Sequence, residues 1–469
     1  MKAAGQSHAA PLPLVRQMLR NLPTEQRLFL IGQLSALILA FLFRYCLPPS
    51  HCGPRVRHGV ATLLGICLSA YCFGWLTVFL VGEIILSYLM LLVVDPRRIQ
   101  IYTLLITMVY LTFFHIRRYA NPLADELDFT VALMTLTQKV SRFAFEYHDG
   151  TVRSDHSLSP TQRRLAIRSP PGILPYLSYS VGFLGLLAGP LCSFNDYQLF
   201  IHGEQKNLNP NVAVFKKLWL CCFLLAAHIM LSDQFTISSD PNNSVPYLFL
   251  ELYLTAASRR PKYYFAWTLA DAINNAAGFG YNGISDDGKE RWDLLSNLNI
   301  LRIETATSFK MFIDNWNIQT AVWLKEVCYD RSPFNPLLST FLLSAAWHGV
   351  HPGYYFTFLT AVPITLAARK VRQTVRPMFQ HTLWSRIIYS LGTWLCTQVA
   401  MSYTVAPFIL LGLGPSFQLY RSLGFCLHML PVLLLLILPH RKRLEVETKG
   451  GRSKEPPCDR NYNHLKKEI

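Results

Sequence analysis

The stretch His58 to Val94 is almost unbroken apolar sequence, and a run of that length leaves few folds open. A helix crosses the hydrocarbon core of a bilayer with about 20 predominantly apolar residues. The run is too long for one crossing and is expected to form two, with a turn near Tyr71–Trp75. Glu83 in its second half reads as a buried polar anchor rather than a catalyst. Further apolar blocks follow at Leu28–Cys46, Ile101–Ile116, Leu174–Cys192, Leu218–Leu231, Val245–Ala257, Tyr354–Ala368, Ser385–Leu413 and Ser422–Pro439. A backbone in lipid must satisfy its hydrogen bonds within its own segment, so these blocks are helices. The expected fold class is an all-α polytopic membrane protein with about nine to eleven transmembrane helices plus interfacial and re-entrant helices.

Composition enters where charge has to be explained. Hydrophobic residues make up 51% of the chain and charged residues 15%, against a formal net charge of +16. The basic residues sit in short runs beside apolar segments, where the positive-inside rule places them, which argues against nucleic acid and for a bilayer. The eleven cysteines are scattered, with no C-x-x-C pair and no zinc spacing, so neither a disulfide framework nor a metal site is expected.

The chain divides into a polar N-terminal segment (1–26), a membrane domain (27–439) and a charged tail (440–469). No apolar region precedes Leu28, so no cleavable signal is expected. Phe129, Leu133, Leu136, Val140 and Phe143 recur at helical spacing with Asp128, Lys139 and Arg142 between them, which predicts an interfacial helix over Leu127–His148. Asn242 opens a glycosylation sequon. Lys466 and Lys467 near the C-terminus resemble a dilysine retrieval signal and, with the basic flank His440–Arg443, predict a multi-pass protein of the endoplasmic reticulum membrane with a cytosolic tail.

Three stretches carry candidate chemistry. Leu337 to Trp347 is free of charge, delivers His348, and is broken by Gly349, Pro352 and Gly353. This is a helix carrying an imidazole into an apolar setting, either as a packed core histidine or as a proton acceptor. Asp271, Asn274 and Asn275 fall on one helix face, which predicts a polar cavity wall. In Ile303–Cys328, Phe309, Phe312, Trp316 and Trp323 form one apolar face interrupted by Lys310, Asp314, Asn315, Asn317 and Lys325, which predicts helices at the cytosolic interface dipping into the bundle. His351 lacks the acidic partner that a metal motif needs. Ser344 lacks a nucleophile elbow, so direct transfer is favoured over an acyl-serine.

The wording W-H-G-V-H-P-G-Y-Y (Trp347–Tyr355) resembles the histidine motif of the membrane-bound O-acyltransferase family. The likeness extends to T-S-F-K-M-F-I-D-N-W-N-I-Q-T-A-V-W-L-K (Thr307–Lys325) and P-K-Y-Y-F-A-W-T-L-A-D-A-I-N-N-A-A-G-F-G (Pro261–Gly280), and covers about Leu37 to Pro439. The long matches are most similar to the lysophospholipid acyltransferases acting on lysophosphatidylethanolamine and lysophosphatidylserine. The resemblance implies a catalytic membrane domain around a central reaction chamber. It also implies transfer of an oleoyl-like chain from acyl-CoA to the sn-2 hydroxyl of a lysophospholipid, with acyl-CoA as co-substrate and no permanently bound cofactor.

His348 is then the expected general base, kept neutral and ready to accept by its apolar surroundings. Asn317 matches the family's paired asparagine, polarising or orienting, with Asn315 as the alternative register. Lys310, Lys325, Arg331 and Lys262 are expected near the coenzyme A phosphates. Trp316, Asn315, Tyr354, Asp271, Asn274 and Asn275 are expected substrate contacts, and Gly189, Pro190 and Tyr197 expected wall residues. A protein or peptide serine O-acyltransferase stays open as an alternative, as does a transporter or scramblase relaying through His348 and Asp271. The sequence fits a monomer and a homodimer equally.

Overall fold

The computed structural model describes residues 23–121, 128–204, 209–232, 234–237 and 243–439. The expectations for residues 1–22, the tail from His440 with its lysine pair, and Asn242 lie outside the described residues.

Helices account for the fold. The chain begins with α1 (Thr24–Cys46), α2 (Pro54–Phe73), α3 (Thr77–Val93), α4 (Ile99–Ala120) and α5 (Phe129–Thr151). Short helices α6 (Pro160–Leu165), α7 (Ile173–Val181) and α8 (Phe194–His202) precede α9 (Asn211–Leu231) and α10 (Val245–Ala276). Then come α11 (Ile300–Glu304), α12 (Phe309–Ile313), α13 (Ile318–Val327), α14 (Pro336–His348), α15 (Pro352–Thr374), α16 (Leu383–Leu410), α17 (Leu413–Ser422) and α18 (Cys426–Ile437). Among the described residues there is no strand, only isolated bridges at Ile284–Glu290 and Leu298–Trp316. The expected break near Tyr71–Trp75 is a 3-10 turn at Gly74–Leu76, opened by Gly74 at φ +56°.

By length and composition, four helical runs among the described residues can cross a membrane: Thr24–Cys46, Pro54–Val93, Ile99–Ala120 and Asn211–Leu231. A fifth arises if α17 and α18, bent by 64°, count as one. These are the most apolar runs and do not by themselves set the number of crossings, since Pro54–Val93 alone holds α2 and α3. The rest of the bundle is less apolar for a physical reason. Helices packed inside the bundle face protein rather than lipid, so they carry polar residues that an all-apolar test rejects.

Helix α5 shows this directly. The amphipathic pattern predicted an interfacial position, yet the helix is buried along nearly its whole length, including Lys139, Arg142, Glu146 and Asp149. Each of these finds a partner inside the bundle. Lys139 Nζ donates to the carbonyls of Tyr179 and Ser180, and Arg142 Nε lies 3.0 Å from Glu146 and 2.8 Å from Glu326. Glu83 is fully buried and accepts from Thr137 Oγ1 at 3.0 Å, tying α3 to α5.

Two further segments differ from expectation. Val245–Ala257 and Tyr263–Gly280 belong largely to one 32-residue helix, α10, which runs through Pro261. Leu174–Cys192 contains the short α7 and then irregular chain rather than a span. Gly189, Pro190 and Tyr197, expected in the chamber wall, pack elsewhere: Tyr197 is buried with its hydroxyl 2.5 Å from Ser178 Oγ.

Candidate active site

A chamber of about 2800 Å³ opens inside the bundle, several times the roughly 300–1,000 Å³ of small-ligand pockets. Its size suits a long, flexible substrate or two substrates together.

Helix α14 brings His348 to it. Asn335 caps the helix by accepting from the Leu338 N–H at 3.1 Å, and Pro336 occupies the first turn, where its missing donor costs nothing. The helix ends at Gly349, whose φ of +134° a side chain would resist. His348 is therefore the last helical residue, and its ring faces the chamber among aromatic rings. The centroids of Trp347, Phe408, Phe358 and Tyr354 lie 4.6, 5.1, 5.2 and 5.8 Å away. Among the described residues no ion pair joins this imidazole to a carboxylate.

Behind it, α15 starts at Pro352 and crosses α16 closely at Gly353. A Cβ there would sit 2.1 Å from the Pro407 carbonyl oxygen, and the Gly353 N–H donates to the Leu411 carbonyl at 2.9 Å. Gly353→Ala is expected to push α15 off α16 at a cost of about 1–3 kcal/mol, seen as a lower thermal midpoint in detergent. An unchanged midpoint contradicts this contact.

The second candidate arrives on a loop rather than on a helix face. Between α12 and α13, the segment Asn315–Asn317 is stitched to Asn297–Asn299. The Asn299 N–H donates to the Asn315 carbonyl at 3.1 Å, Ile318 N–H to the Asn297 carbonyl at 2.8 Å, and Gln319 N–H to Asn297 Oδ1 at 2.9 Å. Asn317 sits in the left-handed region at φ 49°, ψ 52°, which asparagine tolerates better than most residues. It lines the chamber, as does Trp316. Asn315 does not: it is buried and donates to the Met311 carbonyl at 2.8 Å, which corrects its expected substrate contact.

Asp271, Asn274 and Asn275 are a second correction. They do share a buried face of α10, but that face meets protein, not the chamber. Lys217 of α9 binds Asp271 Oδ2 at 2.7 Å, Asn275 Oδ1 at 2.8 Å and the Trp292 carbonyl at 2.8 Å, while Asn274 donates to the Leu184 carbonyl at 3.1 Å. The same polarity that keeps a helix face out of lipid serves equally well as interhelical glue.

Lys310, Lys325, Arg331, Lys262 and Tyr354 all line the chamber. Two of these cations are already committed: Lys310 pairs with Asp314 at 2.6 Å, and Arg331 grips both Asp149 oxygens at 3.0 and 2.6 Å. Burial raises the Asp330 carboxyl above the usual carboxylate range, while Lys325 and Arg331 oppose that rise. Arg259, Arg260 and Arg369 also border the chamber. They belong to basic groups visible in the sequence, but their direction was not. Arg260 Nη1 meets Glu304 Oε2 at 2.5 Å, and Tyr264 donates to the other oxygen at 2.7 Å, closing this wall. Tyr263, Trp267 and Trp316 form an aromatic wall beside it, with Trp316 centred 5.6 Å from Tyr263 and 5.3 Å from Trp267.

Among the described residues no group of three or more His, Cys, Asp or Glu is arranged to hold a metal, and His351 instead packs edge-on against Tyr119 and Tyr354.

An apolar chamber holding an imidazole and an amide, bordered by cations, fits acyl transfer in a water-poor site. Sequence comparison bears on this directly. The chain is 45% identical over 462 residues to the Gallus gallus membrane-bound glycerophospholipid O-acyltransferase 2, covering 93% of this chain and 89% of that protein. It is 42% identical over 474 residues to the Homo sapiens membrane-bound glycerophospholipid O-acyltransferase 1, covering 95% and 94%. The Drosophila melanogaster lysophospholipid acyltransferase 6 is 38% identical over 439 residues, covering 88% and 61%. Residues 100–406 match the membrane-bound O-acyltransferase family. The apolar helices, the likeness along almost the whole chain and this match lead to one conclusion: the chain is a multi-pass membrane acyltransferase and belongs to the membrane-bound O-acyltransferase family.

Proposed function

We propose that this acyltransferase moves an unsaturated, oleoyl-like chain from acyl-CoA to the free sn-2 hydroxyl of a lysophospholipid. Lysophosphatidylethanolamine and lysophosphatidylserine are the first acceptors and lysophosphatidylcholine a further one. The observation that carries this reading is that His348 and Asn317, delivered by separate elements, open onto one large chamber. The relatives are glycerophospholipid and lysophospholipid acyltransferases by name, which favours a lipid acceptor over a peptide one. The headgroup and acyl preferences rest on the resemblance of the motif stretches.

In the proposed reaction His348 takes the proton of the acceptor hydroxyl as that oxygen attacks the thioester carbonyl. The new ester C–O bond forms, the C–S bond breaks, and the coenzyme A sulfur leaves with the proton returned from the imidazole. Asn317 donates its amide N–H to the carbonyl oxygen as negative charge builds there, adding no net charge to the membrane interior. The aromatic rings around His348 keep water from competing for the acyl group. Acyl-CoA acts as co-substrate, and no bound cofactor is required. Lys262, Lys325, Lys310 and Arg331 are the cations proposed to meet its phosphates, with Lys262 the least encumbered. The lysine pair near the C-terminus and the basic flank after Pro439 support an endoplasmic reticulum location with the tail in the cytosol.

Asn317→Ala is expected to lower kcat about 10²–10³-fold with substrate KM little changed, as for loss of one oxyanion donor. A wild-type kcat contradicts the assignment. The deciding experiment offers membranes containing the protein labelled oleoyl-CoA with a panel of lysophospholipids and resolves the products by headgroup. A diacyl product dependent on the expressed chain supports the reading. Absence of lipid product with every acceptor and several acyl donors overturns it in favour of a peptide acceptor or transport.

A further inference from the structure

The end of α14 needs support that the helix itself does not supply. The last four carbonyls of a helix have no partner within it. Here the Ala345 carbonyl accepts from the Gly349 N–H at 3.2 Å, after which the positive φ of Gly349 turns the chain away. The Trp347 carbonyl, immediately before His348, is reached from another helix: His115 of α4 places Nε2 3.1 Å from it. A carbonyl only accepts, so Nε2 carries the proton and His115 is the donor.

The contact is close-built. His115 is buried, and an ideal Cβ on Gly349 would lie 3.3 Å from its Nδ1 and 3.4 Å from its Cγ, so the glycine and the ring fit together. The Trp347 side chain is tied in turn, its Nε1 donating to the Met134 carbonyl of α5 at 3.0 Å. Backbone and side chain of the residue preceding His348 are thus held from two separate helices.

We propose that His115 is a positioning residue for the reaction: by donating to the Trp347 carbonyl it fixes the terminus of α14 and so aims the His348 ring into the chamber. This rests on the reading of His348 as the base. His115 borders neither the chamber nor the reacting atoms and acts through the backbone. The sequence gives no sign of it, because His115 stands in the H-I-R-R that closes an ordinary apolar span.

The test uses the full chain purified in detergent, with oleoyl-CoA and a lysophospholipid as substrates. His115→Phe removes the donor and keeps a ring, whereas His115→Gln keeps an N–H at similar reach. The expected result is a kcat about 10–100-fold lower in His115→Phe with both KM values within threefold, the size of effect that misplacing a reacting group produces. His115→Gln is expected to retain at least about a third of wild-type kcat, because the donor is conserved. Should His115→Phe not accumulate, His115→Leu gives the same readout.

A wild-type kcat in His115→Phe overturns the proposal, and so does an equal loss in Phe and Gln variants that both remain folded. His348→Ala measured beside them separates the two assignments. Turnover within about threefold of wild type there overturns the base reading, whereas a strongly impaired His348→Ala with a fully active His115→Phe overturns only the positioning role. Residual turnover in His348→Ala that falls no further when His115→Phe is added supports action through His348.

Discussion

His348→Ala is expected to cut acyl transfer about 10²–10⁴-fold while the protein accumulates and melts near the wild-type temperature. A positioned general base contributes about 10²–10⁴-fold to rate. With no carboxylate paired to the imidazole among the described residues, no neighbouring group stands ready to replace it. Folding should survive because the ring borders the chamber rather than filling a closed core site, so its removal enlarges an existing cavity rather than opening a new one. The check is initial rate per mole of purified protein, with thermal unfolding run in parallel. Turnover within about threefold of wild type would remove His348 from the chemistry and leave it a packed aromatic among Trp347, Phe358 and Phe408.

Arg142→Met is expected to be the most damaging change outside the chamber. The guanidinium is 2% exposed, between Glu146 at 3.0 Å and Glu326 at 2.8 Å, and joins α5 to α13, the helix that follows Asn317. Taking away the cation leaves the buried Glu146 carboxylate facing that of Glu326 at the chamber edge without the charge that held them together. Breaking a buried pair in this way costs about 3–5 kcal/mol, far more than the pair contributes when whole. The expected outcome is a sharply lower thermal midpoint and low accumulation in membranes. Adding Glu146→Leu and Glu326→Leu to Arg142→Met should recover much of the loss, because an apolar replacement of the whole cluster leaves no unpaired charge. A midpoint unchanged in the single variant, or no recovery in the triple variant, contradicts this account.

The two residues also show what can be read along a chain and what cannot. His348 was legible because its signal is local: a charge-free helix of the right length, one imidazole, and breakers immediately after it. The structure keeps each part, with α14 ending at His348 and Gly349 turning the backbone. The W-H-G-V-H-P-G-Y-Y and D-N-W-N stretches marked the family for the same reason, since a motif is a run of neighbours.

The amphipathic pattern of α5 predicts an interfacial helix, and the structure buries its polar face, Arg142 included, against protein. Periodicity separates the two faces of a helix, yet it does not reveal whether the polar face meets water, lipid headgroups or opposite charges on another helix. On α5 it meets Glu326, 184 residues further on. Asp271, Asn274 and Asn275 failed in the same way: one polar face was correctly identified, and its partner proved to be Lys217 of α9 rather than the chamber.

The sequence by itself determined that this is a helical membrane protein and that His348 closes a charge-free helix, because both follow from length, polarity and local backbone preference, while Asn317 stood out only through the resemblance of its motif. The tertiary structure decided which cations are already paired, that Asn317 rather than Asn315 borders the chamber, and that His115 lies against the carbonyl beside His348. Each of those depends on contacts between residues far apart in the chain, and hydropathy and spacing carry no record of which helix lies against which.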